Sequence, residues 1–168
     1  VSYKVPVNEL MRRPGTMREL ELEIEALEAI GTEIVSVPKG ASLRIPLRLE
    51  AVYEGVLASG EVFAEAQAQC SRCLTDLKIP VEVDFQELFA YSFSSDDELL
   101  VVNEQIDLEQ LVIDSVVLNL PFQPVCRPDC LGLCSECGIG LNENPEHKHQ
   151  APIDSRFGAL KDFVTEEE

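Results

Sequence analysis

Cations are scarce in this chain: 13 lysines and arginines stand against 31 aspartates and glutamates, a formal charge of −18 at pH 7. Such a field repels phosphate backbones at long range, which excludes broad nucleic-acid binding, DNA included, and favours a basic protein partner. Long apolar runs are missing as well. No stretch approaches the roughly 20 apolar residues that span a bilayer, so no membrane contact is expected. Val1–Met11 carries polar residues and a proline instead of an apolar signal core. The expectation is a cytoplasmic protein with reduced cysteines, in which paired thiols serve metal or redox chemistry rather than structural disulfides. Histidine is limited to His147 and His149, and no H-E-x-x-H, G-x-S-x-G, phosphate-loop or dinucleotide pattern occurs. With no catalytic constellation, the chain is expected not to be an enzyme.

Cysteine, by contrast, is concentrated. Cys70-x2-Cys73 stands alone, and Cys126-x3-Cys130-x3-Cys134-x2-Cys137 follows, with His147-x-His149 behind it. These eight ligands suffice for two tetrahedral zinc sites, because a turn of two to four residues points two side chains at one ion. Gly132 and Gly138 flank the second C-x2-C pair, where a left-handed backbone turns amides toward thiolates. Two partitions are open. In the first, Cys70, Cys73, Cys126 and Cys130 share one ion, and Cys134, Cys137, His147 and His149 share another. In the second, Cys126, Cys130, Cys134 and Cys137 share one ion and leave Cys70 and Cys73 as a free dithiol. The first uses every ligand and ties the early part of the chain to its tail. Both of its sites have four protein ligands and no open position for water, which points to structural rather than catalytic zinc. A thioredoxin-like role would place Cys70 and Cys73 at a helix N-terminus, whereas their flanks read as strands.

At 168 residues the chain is long enough for a sizeable core. Its first two thirds alternate with a period of two, the signature of half-buried strands. Leu20, Leu22, Ile24 and Ala26 alternate with Glu19, Glu21, Glu23 and Glu25; Thr32–Val37 is a further strand; Leu43, Ile45, Leu47 and Leu49 alternate with Arg44, Arg48 and Glu50. Pro46 lacks a backbone donor, which places that strand at an edge or on a bulge. Val52–Leu57 continues as strand, Ala58-Ser59-Gly60 reads as a turn, and Val62–Ala68 and Leu77–Phe85 flank the first cysteine pair, putting it at a hairpin tip. A polar loop, Ser92–Gln105, holds a short strand Leu99–Val102. A helix follows, with Asp107 and Gln110 as a capping box and Val117 and Leu118 widening its apolar face; it ends before Pro121. The expected fold is α+β, mostly β: a twisted antiparallel sheet or partly open barrel with one packed helix (residues 1–120). A zinc-stabilised segment, residues 121–168, folds onto it, with a short final helix over Asp154–Phe163.

Several of these residues together resemble the YceD-like family of large ribosomal RNA subunit accumulation proteins. They are Cys70-Ser-Arg-Cys73-Leu74, Leu120-Pro121, and Cys126-Arg-Pro-Asp-Cys130-Leu-Gly-Leu-Cys134-Ser-Glu-Cys137-Gly138 with Leu141-Asn142. Arg13-Pro14-Gly15, Asp154-Ser155-Arg156 and Leu160 are similar too. Many relatives carry C-x-C where this chain has His147-x-His149, which supports the first partition. The resemblance implies a role in accumulation of the large-subunit RNA, with the ribosome assembly intermediate as partner, met through a basic ribosomal protein or the RNA itself. Arg12, Arg13, Arg44, Arg48 and Arg72 are the candidates for an RNA or partner contact. The alternatives are an RNA-binding or RNA-processing module that presents Arg72, and a thiol redox or zinc-dependent enzyme.

Overall fold

The computed structural model describes residues 3–11, 13–92 and 99–149. Its main element is a curled, half-barrel antiparallel sheet. Strand β2 (Met17–Glu25) pairs with β5 (Ser42–Ala51), β5 with β6 (Gly55–Gln69), and β6 along its whole length with β7 (Asp76–Ala90). The short strands β3 (Ile30–Gly31) and β4 (Val35–Val37) extend the sheet beside the far end of β6. Strand β1 (Lys4–Pro6) pairs with β8 (Gln105–Asp107) in a separate ribbon. The helix α1 (Glu109–Asn119) packs against β7 and β3.

Alternation along each strand decides which face is buried. Ile24, Leu43, Ile45, Leu47, Leu49, Val62, Ala66, Val81, Val83 and Phe85 point inward with Val112 and Val116 of the helix. Glu19 to Glu25 on β2, with Glu61, Glu65, Glu82 and Asp84 on β6 and β7, occupy the opposite face by the strand period. No polar or charged residue is buried among those described, so the core carries no desolvation cost from charge.

Some expectations change. Ala58-Ser59-Gly60 is not a turn but lies in the middle of β6; the chain reverses at residues 52–55, where the Val52 amide donates to the Gly55 carbonyl at 2.9 Å. Gly60 serves close approach instead: a Cβ there would lie 2.8 Å from the Pro46 carbonyl oxygen and 2.7 Å from Phe85 Cζ. Pro46 is not on an edge, since β5 lies between β2 and β6. The ladder to β6 skips it, running from Arg44–Phe63 to Leu47–Gly60, so the missing donor is accommodated by a gap in pairing. Residues 32–34 form the tight turn between β3 and β4 rather than strand. The expected strand Leu99–Val102 forms only isolated bridges, Leu100 to Ala90 and Val102 to Gln105.

The helix matches its expected span, but the capping box does not form: the N-cap is Leu108, with no side-chain cap bond. The Asp107 carboxylate accepts from the Glu109 amide at 3.0 Å, while the Gln110 side chain turns forward to Asp114. Val117 and Leu118 do not widen the buried face; both are exposed, Leu118 at 83%. The expected helix at Asp154–Phe163 and residues 93–98 of the polar loop lie outside the described residues.

Candidate metal centres

The first cysteine pair sits at the tip of the long β6–β7 hairpin. The Cys70 amide donates to the Thr75 carbonyl (2.8 Å), and the Leu74 amide returns to the Cys70 carbonyl (2.9 Å). The second pair repeats this knuckle: the Cys134 amide donates to the Ile139 carbonyl (2.8 Å) and the Gly138 amide to the Cys134 carbonyl (2.9 Å). In both, the residue after the second cysteine adopts a left-handed backbone, φ +58° at Leu74 and +73° at Gly138. Glycine takes that conformation freely, whereas an L side chain is strained by about 1–2 kcal/mol. Leu74 is exposed, so its side chain loses little packing on removal. Leu74→Gly is expected to raise unfolding stability by roughly 0.5–1 kcal/mol in denaturant titration, after the entropy cost of glycine.

The tail returns to the first knuckle along residues 124–133. Ser71 donates from amide and hydroxyl to the Pro124 carbonyl (2.8 and 3.0 Å), and the Leu133 amide donates to the Arg72 carbonyl (3.1 Å). The Arg72 guanidinium reaches the carbonyls of Pro128 (3.2 Å) and Cys130 (2.9 Å). Gly132 lies against Arg72, with φ +78° and only 2.9 Å from a notional Cβ to the Arg72 carbonyl oxygen, so a larger residue would push the tail off the knuckle.

This docking brings Cys70, Cys73, Cys126 and Cys130 together, and a second group gathers Cys134, Cys137, His147 and His149. Within each group the ligand atoms lie within 4.8 Å of one another. All six cysteines are free thiols. In the four-cysteine group, Cys70 Sγ and Cys130 Sγ are 3.9 Å apart and Cys73 Sγ and Cys126 Sγ 3.7 Å. A tetrahedron of four sulfurs at the zinc–thiolate bond length has edges of about 3.8 Å, so the donor set fits that ion. In the second group, both imidazole Nε2 atoms lie 3.2 Å from Cys137 Sγ and 2.9 Å from each other. Those separations are a few tenths of an ångström tighter than the roughly 3.6 and 3.3 Å edges of a two-sulfur, two-nitrogen zinc site. The outer nitrogen of His149, Nδ1, is 3.3 Å from the Glu136 carboxylate, an arrangement that leaves Nε2 free to serve as a ligand.

Backbone amides prepare the thiols. The Cys73 amide, aided by those of Cys126 and Arg72, holds the Cys70 thiol down at about 6 against the opposing effect of burial. The Cys137 and Glu136 amides do the same for Cys134, also at about 6. The Asn142 side chain, 3.2 Å from Cys130 Sγ, lowers that thiol. Cys126 moves the other way: burial and its sulfur neighbours push it up to about 12. Four thiols this close cannot all ionise without a compensating cation, so a cation held among them would favour the thiolate forms.

The arginines are not gathered into one patch. Arg44 and Arg48 share the outer face of β5, whereas Arg72 lies in the turn beyond the end of β6, which runs on six residues, about 20 Å, past Phe63, the partner of Arg44. Arg44 is hydrogen-bonded to Glu21 (3.1 Å) and stacks on Phe63 (4.3 Å to the ring centre); Arg48 faces Glu50 at 3.6 Å. Arg13 lies in the exposed loop before β2, and Arg12 is outside the described residues. Sequence reasoning missed Glu136 and Asn142 as supports of the ligands. Asn142 was visible only as part of the Leu141-Asn142 motif, and nothing in the pattern singled out Glu136.

Compared with known proteins, residues 58–164 match the family described as large ribosomal RNA subunit accumulation protein YceD. The chain belongs to the YceD family. Two mycobacterial relatives support this: an uncharacterized protein of Mycobacterium tuberculosis is 45% identical over 167 residues, covering 95% of this chain and 80% of the relative. One of Mycobacterium leprae is 41% identical over 165 residues, covering 94% and 76%. The uncharacterized protein YlbN of Bacillus subtilis is 22% identical over 152 residues, covering 88% and 87%. No solved structure matches. The YceD family name associates the chain with accumulation of the large ribosomal subunit RNA. No helix among the described residues is long and apolar enough to cross a membrane.

Proposed function

We propose that this chain is a non-enzymatic, zinc-clamped cytoplasmic factor that supports accumulation of large-subunit ribosomal RNA, meeting the assembly intermediate through a basic ribosomal protein. YceD membership carries the reading. The donor sets support structural zinc: each group supplies four protein ligands, so an ion held there would have a filled shell and act as a cross-link. Cys70, Cys73, Cys126 and Cys130 would hold one ion and Cys134, Cys137, His147 and His149 the other. The partner class follows from charge. The chain is strongly acidic, and Arg44, Arg48 and Arg72 each have a partner within the chain.

The test is affinity purification from nuclease-treated extract, with ribosomal RNA levels measured in cells lacking the protein. The expected result is a basic large-subunit protein retained without RNA, and a fall in large-subunit but not small-subunit RNA. Retention that vanishes with nuclease, together with salt-sensitive binding to large-subunit RNA fragments that Arg44→Ala abolishes, would replace this reading with the RNA-binding one. Turnover through a reducible Cys70–Cys73 disulfide would overturn both.

A further inference from the structure

Asn142 lies five residues after Cys137 and five before His147, midway along the loop that joins the two halves of the second ligand group. Its own side chain works on the first. Asn142 Oδ1 accepts the Leu131 amide at 2.8 Å, and Nδ2 donates to Cys130 Sγ at 3.2 Å. The same loop is stitched to the segment before the second knuckle: the Leu141 amide donates to the Gly132 carbonyl (2.9 Å), and Leu133 bridges Gly140. Farther on, the Asn144 amide donates to the Gly140 carbonyl (3.2 Å) and the His147 amide to the Asn144 carbonyl (3.0 Å). The loop is thus anchored at one end by Cys134 and Cys137 and at the other by His147 and His149. Beyond these ligands, the backbone bonds, the Asn142 contacts and the Asn144 side chain on the Gly140 carbonyl (3.3 Å), the loop faces solvent, with residues 143–146 exposed.

We infer that Asn142 is a positioning residue that couples the two candidate metal centres, so that filling the cysteine–histidine centre tightens the four-cysteine centre. This rests on the reading that both groups hold zinc. A metal ion bound by Cys134, Cys137, His147 and His149 closes the loop and fixes Asn142 where its amide meets Cys130 Sγ. An amide held in place donates to the sulfur without first being ordered, and that ordering is the cost the second ion removes. Partners that orient a ligand in this way are commonly worth about 10–100-fold in metal affinity. Because the coupling is an equilibrium quantity, it acts in both directions: filling the four-cysteine centre must favour the cysteine–histidine centre by the same factor.

The test is a double-mutant cycle on the full chain, read by chelator competition for zinc and by cobalt spectra. In those spectra a four-thiolate centre and a two-thiolate, two-imidazole centre absorb differently. Asn142→Ala is expected to weaken metal at the four-cysteine centre about 10-fold or more. The combined change His147→Ala and His149→Ala, which disables the other centre, should weaken it comparably. Adding Asn142→Ala to that pair should then have little further effect, since both changes remove the same contact. Asn142→Asp keeps the acceptor for Leu131 but replaces the donor to sulfur with a carboxylate oxygen that repels the thiolate, and should weaken the four-cysteine centre at least as much as Asn142→Ala. Unchanged four-cysteine affinity in Asn142→Ala, or fully additive effects in the cycle, would overturn the coupling. Absence of any cobalt–thiolate absorbance in the unmutated chain would instead overturn the metal reading on which it rests. Circular dichroism showing an intact sheet in each variant separates these results from misfolding.

Discussion

A strong chelator is expected to free residues 121–149 while the half-barrel stays folded. The tail has no apolar core. Of residues 121–149 only Pro124, Cys130 and Gly132 are buried, and Phe122 is 94% exposed. Burial of that order cannot offset the ordering of nearly thirty residues at about 1–2 kcal/mol each. A structural zinc ion brings roughly 10–16 kcal/mol to small zinc-finger peptides, so ions held at both centres would offset a large part of that cost. Hydrogen exchange measures this residue by residue. The amides of Ser71, Leu133, Cys134 and Leu141, which tie the tail to the knuckles and to itself, should lose protection. Those of the β6–β7 ladder should keep it. Simultaneous loss across the whole chain would show that the sheet depends on the ions too, and unchanged protection would show that the tail does not.

The converse is expected of Phe89→Ala. Phe89 is 1% exposed near the end of β7 and faces Val56 across the β6–β7 ladder. Its loss removes a large apolar surface and leaves a cavity, at a cost of about 3–5 kcal/mol. Against a typical total of about 5–15 kcal/mol this is a large fraction. Denaturant unfolding monitored through the sheet should shift accordingly, whereas metal content per folded chain should not change. A loss below about 1 kcal/mol would place Phe89 outside the packed core.

How much of this was legible depended on which residues carried the signal. The β2 alternation of leucine and glutamate, and the alternation flanking Cys70 and Cys73, set strand faces by side-chain period alone, and the structure keeps them. The helix was equally plain, because helical apolar spacing begins at Leu108 and Pro121 stops it. Ala58-Ser59-Gly60 misled because a glycine needed for close approach to Pro46 and Phe85 looks, in sequence, like a glycine needed for a turn. Pro46 misled for a related reason: a missing donor can be met by a gap in an interior ladder as well as by an edge. The β1–β8 ribbon went unseen because it is three residues long with one inward side chain on each strand, Val5 and Ile106. In the candidate centres the eight residues that the structure gathers into two groups were legible from spacing. Glu136, Asn142 and the inward use of Arg72 were not, since a second partner for a ligand is chosen by the folded path and has no fixed spacing.

Whether two ions clamp the tail to the sheet is decided by the zinc content of the purified chain, measured alongside two single-ligand variants. Two zinc ions per chain are expected, falling to one in Cys70→Ser and to one in Cys137→Ser, because each change opens a different centre. Unchanged zinc in Cys70→Ser would contradict this by showing that the hairpin tip is not a ligand, and a chain that binds no zinc at all would remove the clamp altogether.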